Sequence, residues 1–99
     1  MEFTNIDVVT IAIFLLGGDT KRIDTEDIAI KSNELAPGRF TWRKFPDQIN
    51  IDNIRKRLSD AKNPHKGKLI EGNFKDGWTL TLEGLSHVKN KLWLYRKPK

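Results

Sequence analysis

The first sixteen residues carry apolar side chains at helical spacing. Residues three or four apart share one face of a helix, and the apolar positions of this face are Ile6, Val9, Ile13 and Leu16. Thr4 or Asn5 can cap the start of the helix, and Gly17 and Gly18 close it. Further apolar residues make it hydrophobic on almost every side, so we expect another element or a second subunit to cover it.

A second helix follows a short polar turn. Ile23 can form a single-bridge strand, after which Asp24 or Thr25 caps a helix that runs to about Leu35. The proline and glycine at positions 37 and 38 prevent its continuation. The residues that we expect to face inward are Ile28, Ala29 and Leu35.

Two patterns in the second half of the chain predict a third helix and a hairpin. A helix from about Asn50 to Lys62, ended by Pro64, is predicted by a narrow apolar stripe. The residues of this stripe are Ile51, Ile54, Leu58 and Ala61. Leu69 and Ile70 begin a strand, turn residues follow between Gly72 and Gly77, and polarity alternates over residues 78–80. This pattern predicts antiparallel pairing of residues 69–71 with residues 78–80.

A fourth helix is predicted to begin at Thr81 or Leu82, with Thr81 as its cap. Its apolar face comprises Leu82, Leu85, Val88, Leu92 and Tyr95. Residues 96–99 are expected to be a frayed tail. The fold class that follows is a single domain over residues 1–99, mainly α with a small antiparallel β-hairpin.

The passage from Gly77 to Leu85 is Gly-Trp-Thr-Leu-Thr-Leu-Glu-Gly-Leu. It resembles the aromatic-x-Leu-Thr-x-x-Gly passage that joins the second wing strand to the last helix in MarR-like and PadR-like regulators. The order of elements over roughly residues 5–95 is also similar to that of these winged helix-turn-helix proteins. Residues 34–50 resemble an uncharacterised group of prokaryotic winged-helix-type domains, a likeness that implies no known activity.

The resemblance implies a winged helix-turn-helix with the order helix, short strand, helix, helix, strand, wing, strand, helix. It also implies a DNA-binding role, in which the third helix docks on duplex DNA beside the wing. Such a chain would be a small transcription regulator or the binding module of a larger prokaryotic protein. One departure is the connection between the second and third helices, which has ten residues or more where a helix-turn-helix usually has about three or four.

Charge is unevenly distributed along the chain. Residues 1–20 carry three acids and no bases, whereas residues 50–99 carry twelve bases against five acids, and the formal net charge is +5. A basic half of this kind favours a polyanionic partner, although solubility alone is the simpler explanation. Any surface that faces phosphates should therefore be built from the C-terminal half.

The candidate DNA-binding residues are cations and one amide on the third helix, after it, in the wing and in the long connection. They are Asn53, Arg55, Lys56, Arg57, Lys66, Lys68, Lys75, Arg39 and Arg43. Asn53 can contact adenine, and Arg55, Lys56 or Arg57 can reach guanine edges or phosphates. The lysines after the helix and in the wing can contact phosphates. The alternative for the helix is an ordinary solvated face with intrahelical ion pairs of Lys56 with Asp52 and Asp60.

The connection itself interleaves bases with aromatic residues. Arg39, Arg43 and Lys44 alternate with Phe40, Trp42 and Phe45. These side chains could form a second contact surface, with aromatic rings on bases and arginines on phosphates. We favour the other interpretation, in which Trp42 and Phe45 pack inward and fill the insertion.

No catalytic or cofactor motif accompanies these features. The chain has no cysteine and two isolated histidines, His65 and His87, so we predict neither an enzyme, nor a metal site, nor a cofactor. The longest apolar run is too short for a membrane span and lacks a signal-peptide pattern, and we expect a cytoplasmic protein. The alternative to DNA binding is a protein-interaction winged helix, and a homodimer through the first and fourth helices is a further expectation.

Overall fold

The computed structural model describes residues 3–96, and the side chains of residues 3–93. The described residues form four α-helices, one 3-10 turn and a two-stranded antiparallel sheet. In chain order they are α1 (Asn5–Leu15), α2 (Thr25–Leu35), α3 (Ile51–Lys62), the 3-10 turn (Pro64–Lys66), β1 (Ile70–Asn73), β2 (Gly77–Leu80) and α4 (Leu82–Arg96). Arg96 is thus still helical, and the rest of the predicted frayed tail, 97–99, lies outside the described residues.

Helix α1 begins with a capping box. The backbone N–H of Asp7 donates to the Thr4 hydroxyl, and the backbone N–H of Thr4 donates to the Asp7 carboxylate, both at 3.0 Å. Seven successive residues, 7–13, are buried, and the apolar ones among them, such as Val9 and Ile13, belong to a helix that contacts α2, α3, α4 and β2. Other elements of the same chain therefore bury most of the apolar surface of α1. Leu15 is the main exception, at 47% exposed.

Helix α2 follows the predicted bounds and differs on one inward residue. Ile28 and Ala29 are buried, as predicted, but the prediction for Leu35 is wrong because this side chain is 42% exposed. Leu35 lies in the last turn, where it borders an open groove instead of the core. Ser32, one turn earlier, is fully buried.

The two strands pair antiparallel as predicted, but β1 begins at Ile70 and not at Leu69. Ile70 lies opposite Leu80 and Asn73 opposite Gly77, a register one residue away from a pairing of 69–71 with 78–80. Its turn is closed by the Asn73 side chain, which accepts the backbone N–H groups of residues 75 and 76 at 2.9 and 2.7 Å. On the outer edge of β2, Ile23 and Trp78 exchange two backbone hydrogen bonds of 2.9 Å in an isolated antiparallel bridge. The hairpin is thereby tied to the turn between α1 and α2.

Trp78 and Gly84 fix the hairpin against the helices. The Trp78 ring is buried, and its indole N–H donates to the Thr25 hydroxyl at 2.9 Å. Thr81 caps α4 as predicted by accepting the Gly84 N–H at 2.9 Å. A Cβ at position 84 would lie 1.8 Å from the carbonyl oxygen of Leu69, so only glycine permits this approach of α4 to β1.

In the part of the chain that the structure describes, no helix combines the length and the apolar character needed to cross a bilayer.

Candidate nucleic-acid interface

Helix α3 exposes one polar face beside its buried stripe. Ile54, Leu58 and Ala61 are buried, as predicted, and Asn50 caps the helix by accepting the backbone N–H of Asn53. The side opposite this stripe is solvent-exposed at Asp52, Lys56 and Ser59. Positions 55–68, from α3 through the 3-10 turn, carry six bases and one acid.

The two arginines of α3 are paired with carboxylates of the same helix. Arg55 lies 3.7 Å from Asp52, and Arg57 lies 3.4 Å from Asp60, each pair spaced three residues apart. The predicted pairs of Lys56 with Asp52 and Asp60 are therefore wrong. Both carboxylates lie close to an arginine guanidinium instead, and Lys56 makes no ion pair with any described residue.

Two cations on one flank of α3 reach the hairpin. The Lys62 ammonium donates to the Gly72 carbonyl at 2.8 Å and lies 5.9 Å from the centre of the Trp78 ring. The Arg55 guanidinium lies 5.9 Å from the centre of the Phe74 ring. Lys75, next to Phe74, is exposed at the hairpin tip, so α3 and the hairpin share one surface that carries several cations. The groove between Arg55 and Phe74 is also lined by the carboxylates of Asp24 and Glu26, which border this surface.

Lys62, which precedes Lys66 and Lys68 in the basic cluster at the end of the third helix, also lies on this surface, although it is not one of the nine candidate residues. Its signal is present in the sequence, because residues seven apart lie on the same side of a helix and Lys62 is seven residues after Arg55. That the hairpin would meet this side of the helix depends on tertiary packing.

Two further candidate residues, Arg39 and Asn53, are hydrogen-bonded to other parts of the chain, and a third, Lys68, lies beside carboxylates. The Arg39 guanidinium is bound to the Phe3 carbonyl and the Asn5 side chain at the start of α1. Lys68 borders a cleft whose other lining side chains include three carboxylates, a poor setting for a phosphate. The Asn53 amide donates a long bond of 3.5 Å to the Arg39 carbonyl, and Lys66 is exposed in the 3-10 turn.

Residues 39–49, hereafter the arm, form a small loop between α2 and α3. Thr41 and Ile49 form an isolated antiparallel bridge, and the Trp42 N–H donates to the Gln48 carbonyl at 3.1 Å. The prediction that Trp42 and Phe45 pack inward is wrong: they are 50% and 56% exposed. The bridge holds the intervening residues outside the core, and Phe40, before it, is the arm aromatic that is fully buried.

An apolar groove lies on the face formed by α1, the end of α2 and α4. Its lining residues are Phe3, Val8, Ile11, Leu15, Leu35, Ala36, Arg39 and Leu92. Trp93, the residue after Leu92 in α4, is 60% exposed. The side chains of residues 94 and 95, part of the predicted dimer surface and of the predicted apolar face of α4, lie outside the described residues.

A cluster of ionisable side chains around the buried Asp7 joins α1 to α4. The Nε2 of His87 lies 2.7 Å from one Asp7 oxygen, and the Lys91 ammonium lies 3.5 Å from the other. Burial raises the pKa of Asp7, but the hydrogen bonds with His87 and Thr4 and the charge of Lys91 outweigh it, so this pKa lies below its ordinary value. These contacts hold two helices together, and no group of three or more potential metal ligands occurs among the described residues.

No family model matches the chain, and no curated protein or solved structure shows significant similarity to it. The likeness of residues 77–85 to MarR-like and PadR-like regulators stays a prediction. Function is therefore inferred from the contacts and charges of this chain alone.

Proposed function

We propose that this chain is a winged-helix domain that binds duplex DNA through α3 and the hairpin. The observation that carries the proposal is the pair of contacts from one flank of α3 to the hairpin, made by Arg55 and Lys62. They join the helix and the exposed Lys75 into one cation-bearing surface, and a helix beside a wing is the arrangement with which this fold contacts duplex DNA.

The order of elements supports the winged-helix assignment. In this fold a short strand after the first helix lies beside the hairpin, and the Ile23–Trp78 bridge is in that position. We propose that Ile23 is the third strand of the wing sheet. The sheet would then orient the hairpin tip toward the same partner as α3.

The residues of this surface divide into two roles. The exposed cations would contact phosphates, because a phosphate contact requires only a positive charge on a side chain long enough to reach it. These cations are Lys56, Lys66 and Lys75. Arg55 and Asn53, near the start of α3, have the donors that base edges accept. Asn53 would have to give up its long bond to the arm, and Arg55 would remain close to Asp52.

A salt-series titration on random duplex DNA tests the proposal. The logarithm of the association constant should fall linearly with the logarithm of the salt concentration, because bound phosphates release counterions. Lys56→Ala and Lys75→Ala should each reduce this slope by about one unit. Lys89→Ala removes one exposed positive charge from α4 and serves as the matched control, with no expected change of slope. Equal effects of all three variants, or no binding near 50 mM salt, where non-specific attraction is strong, would refute the proposal.

The apolar groove supports a second candidate function, a protein-interaction domain or a homodimer through α1 and α4. Leu15 and Leu35 line this groove and are substantially exposed, and such side chains often mark contact surfaces. Because α1 is otherwise covered by its own chain, the exposed area available to a partner is small. Sedimentation over a range of protein concentrations tests the homodimer: a strict monomer at high concentration would exclude it.

A further inference from the structure

The arm presents two aromatic side chains that are exposed although its backbone is held in place. The backbone N–H of Asn50 donates to the Phe40 carbonyl at 2.6 Å, and the Gln48 N–H donates to the Phe45 carbonyl at 3.0 Å. With Phe40 buried, the loop has an anchor at its base. Trp42 and Phe45 are therefore kept in solvent by a structured backbone, which leaves large apolar surfaces available to a ligand.

The cations between these two rings are available as well. Arg43 and Lys44 are exposed, and neither forms an ion pair or a side-chain hydrogen bond with a described residue. Asp47 is the one acid of the arm. The sequence of the arm at 42–45 is thus one aromatic residue, two cations and a second aromatic residue. The surface that they form is both apolar and positively charged.

The arm also lies beside the end of α3 that would face DNA. Asn50 belongs to both, since it caps α3 and its N–H is bound to the arm at Phe40. Asn53, in the first turn of α3, donates to the Arg39 carbonyl. A nucleic acid that contacts the first turns of α3 therefore passes close to the arm.

We propose that the arm binds unpaired nucleotides, with Trp42 and Phe45 stacking on bases and with Arg43 and Lys44 contacting the adjoining phosphates. Flat rings on a loop need the face of a base, and base stacking within a duplex hides these faces. The preferred ligand is then duplex DNA that continues into a single strand. The duplex part of this ligand rests on the proposed function, whereas the single-stranded contact stands on the arm alone.

Tryptophan fluorescence tests the stacking directly. In a Trp93→Phe background, Trp42 is the exposed tryptophan and Trp78 is buried. An oligothymidylate of about ten nucleotides, within the usual range of single-strand site sizes, should quench the Trp42 emission. Adding Trp42→Phe should abolish the quenching. Quenching that survives this replacement, or no quenching at all, would overturn the proposal.

A comparison of two DNA ligands measures the contribution of the arm to affinity. A duplex with a thymidine tail should bind more tightly than the same blunt duplex, by about five- to 150-fold if one base stacks. The double variant Trp42→Ala/Phe45→Ala should lose this gain and keep the affinity for blunt duplex. Trp93→Ala, which removes an equal ring from α4, should keep both. A gain that is absent, or one that the double variant retains, would refute the inference.

The two proposals fail in different ways. If blunt duplex does not bind but the oligothymidylate still quenches Trp42, the arm inference stands and the duplex-binding function falls. If blunt duplex binds with the expected salt dependence and the tail adds nothing, the duplex-binding function stands and the arm inference falls.

Discussion

The outer face of α3 and the arm both combine cations with other polar or aromatic residues, yet they hold their charges differently. On α3, both arginines lie within 4 Å of carboxylates on the same helix. On the arm, Arg43 and Lys44 have no such partner among the described residues, and two aromatic rings beside them are exposed. The number of basic residues in a segment therefore differs from the charge that the segment offers to a ligand.

Backbone geometry explains this difference. Residues three apart on a helix are neighbours, so a carboxylate at that spacing meets the arginine whatever else the helix binds. The arm has no helical repeat, and its one acid, Asp47, lies within the turn closed by the Gln48 N–H and the Phe45 carbonyl, where it forms no ion pair with a described residue. An exposed pair such as Arg55–Asp52 contributes little to stability, about 0–1 kcal/mol, so it acts mainly on the charge available for binding.

The comparison requires that the arm has a fixed structure that is packed against the rest of the fold. The substitution with the largest expected effect on stability tests this requirement. Phe40→Ala removes a fully buried ring and should lower the free energy of unfolding by about 3–5 kcal/mol. Trp42→Ala, two residues later and half exposed, should change it by about 0.5 kcal/mol or less. Urea unfolding measures both. A loss below about 1 kcal/mol for Phe40→Ala would mean that the arm is only loosely attached.

The comparison also assumes that exposed carboxylates on α3 matter little for stability, and Asp7 supplies the contrast. Asp7 is buried and bound to Thr4, His87 and Lys91, so Asp7→Asn should cost about 1.5–3 kcal/mol at neutral pH. Asp52→Asn should cost under about 1 kcal/mol because its pair with Arg55 is exposed. Equal losses in urea unfolding would contradict the distinction.

The pH dependence of stability gives Asp7 a second signature. Its pKa in the folded protein is below the ordinary value of 3.8, so its contribution is complete above that pH and is lost as the pH falls through the lowered pKa. Thermal unfolding of the wild type should therefore show a fall in Tm below about pH 4 that is shallower in Asp7→Asn. Parallel profiles in the two proteins would show that Asp7 is not responsible.

Two substitutions with smaller expected effects, each of which removes one acid, distinguish the two binding surfaces by their change in DNA affinity. Asp60→Asn removes the partner of Arg57 and should strengthen binding to blunt duplex by about 1 kcal/mol, or roughly fivefold, at low salt. Asp47→Asn should instead strengthen binding of the oligothymidylate, through the arm. Fluorescence anisotropy with both ligands measures this crossed pattern. Equal gains for both ligands in both variants would mean that the two regions are one diffuse positive field.

Local signals were sufficient to predict most of the fold. The caps at Thr4 and Thr81 and the turn at Gly77 depend on nearby residues alone. The helix bounds follow the predictions closely, and the hairpin is antiparallel as predicted, with its pairing shifted by one residue. The position of Leu35 could not be predicted in the same way. Its spacing is correct for an inward residue, but the core ends one turn before it.

The site was less predictable than the fold because it depends on contacts between distant segments. Nothing near Arg39 in the sequence indicates that the start of α1 binds its guanidinium, and nothing near Lys62 indicates the hairpin. The exposure of Trp42 and Phe45 follows from the bridge between Thr41 and Ile49, which only the folded arm reveals. Residue type alone favoured burial for both rings.

Backbone amide NMR spectra of the protein, recorded while tailed duplex DNA is added at low salt, test the central claim most directly. The account predicts that the largest shifts lie in the first half of α3, around Arg55 and Lys56, at the hairpin tip around Lys75, and in the arm around Trp42. Amides that border the apolar groove, such as those of Leu15 and Leu35, should not shift. Shifts centred on the groove, or none at any DNA concentration, would contradict a nucleic-acid interface on α3 and the arm.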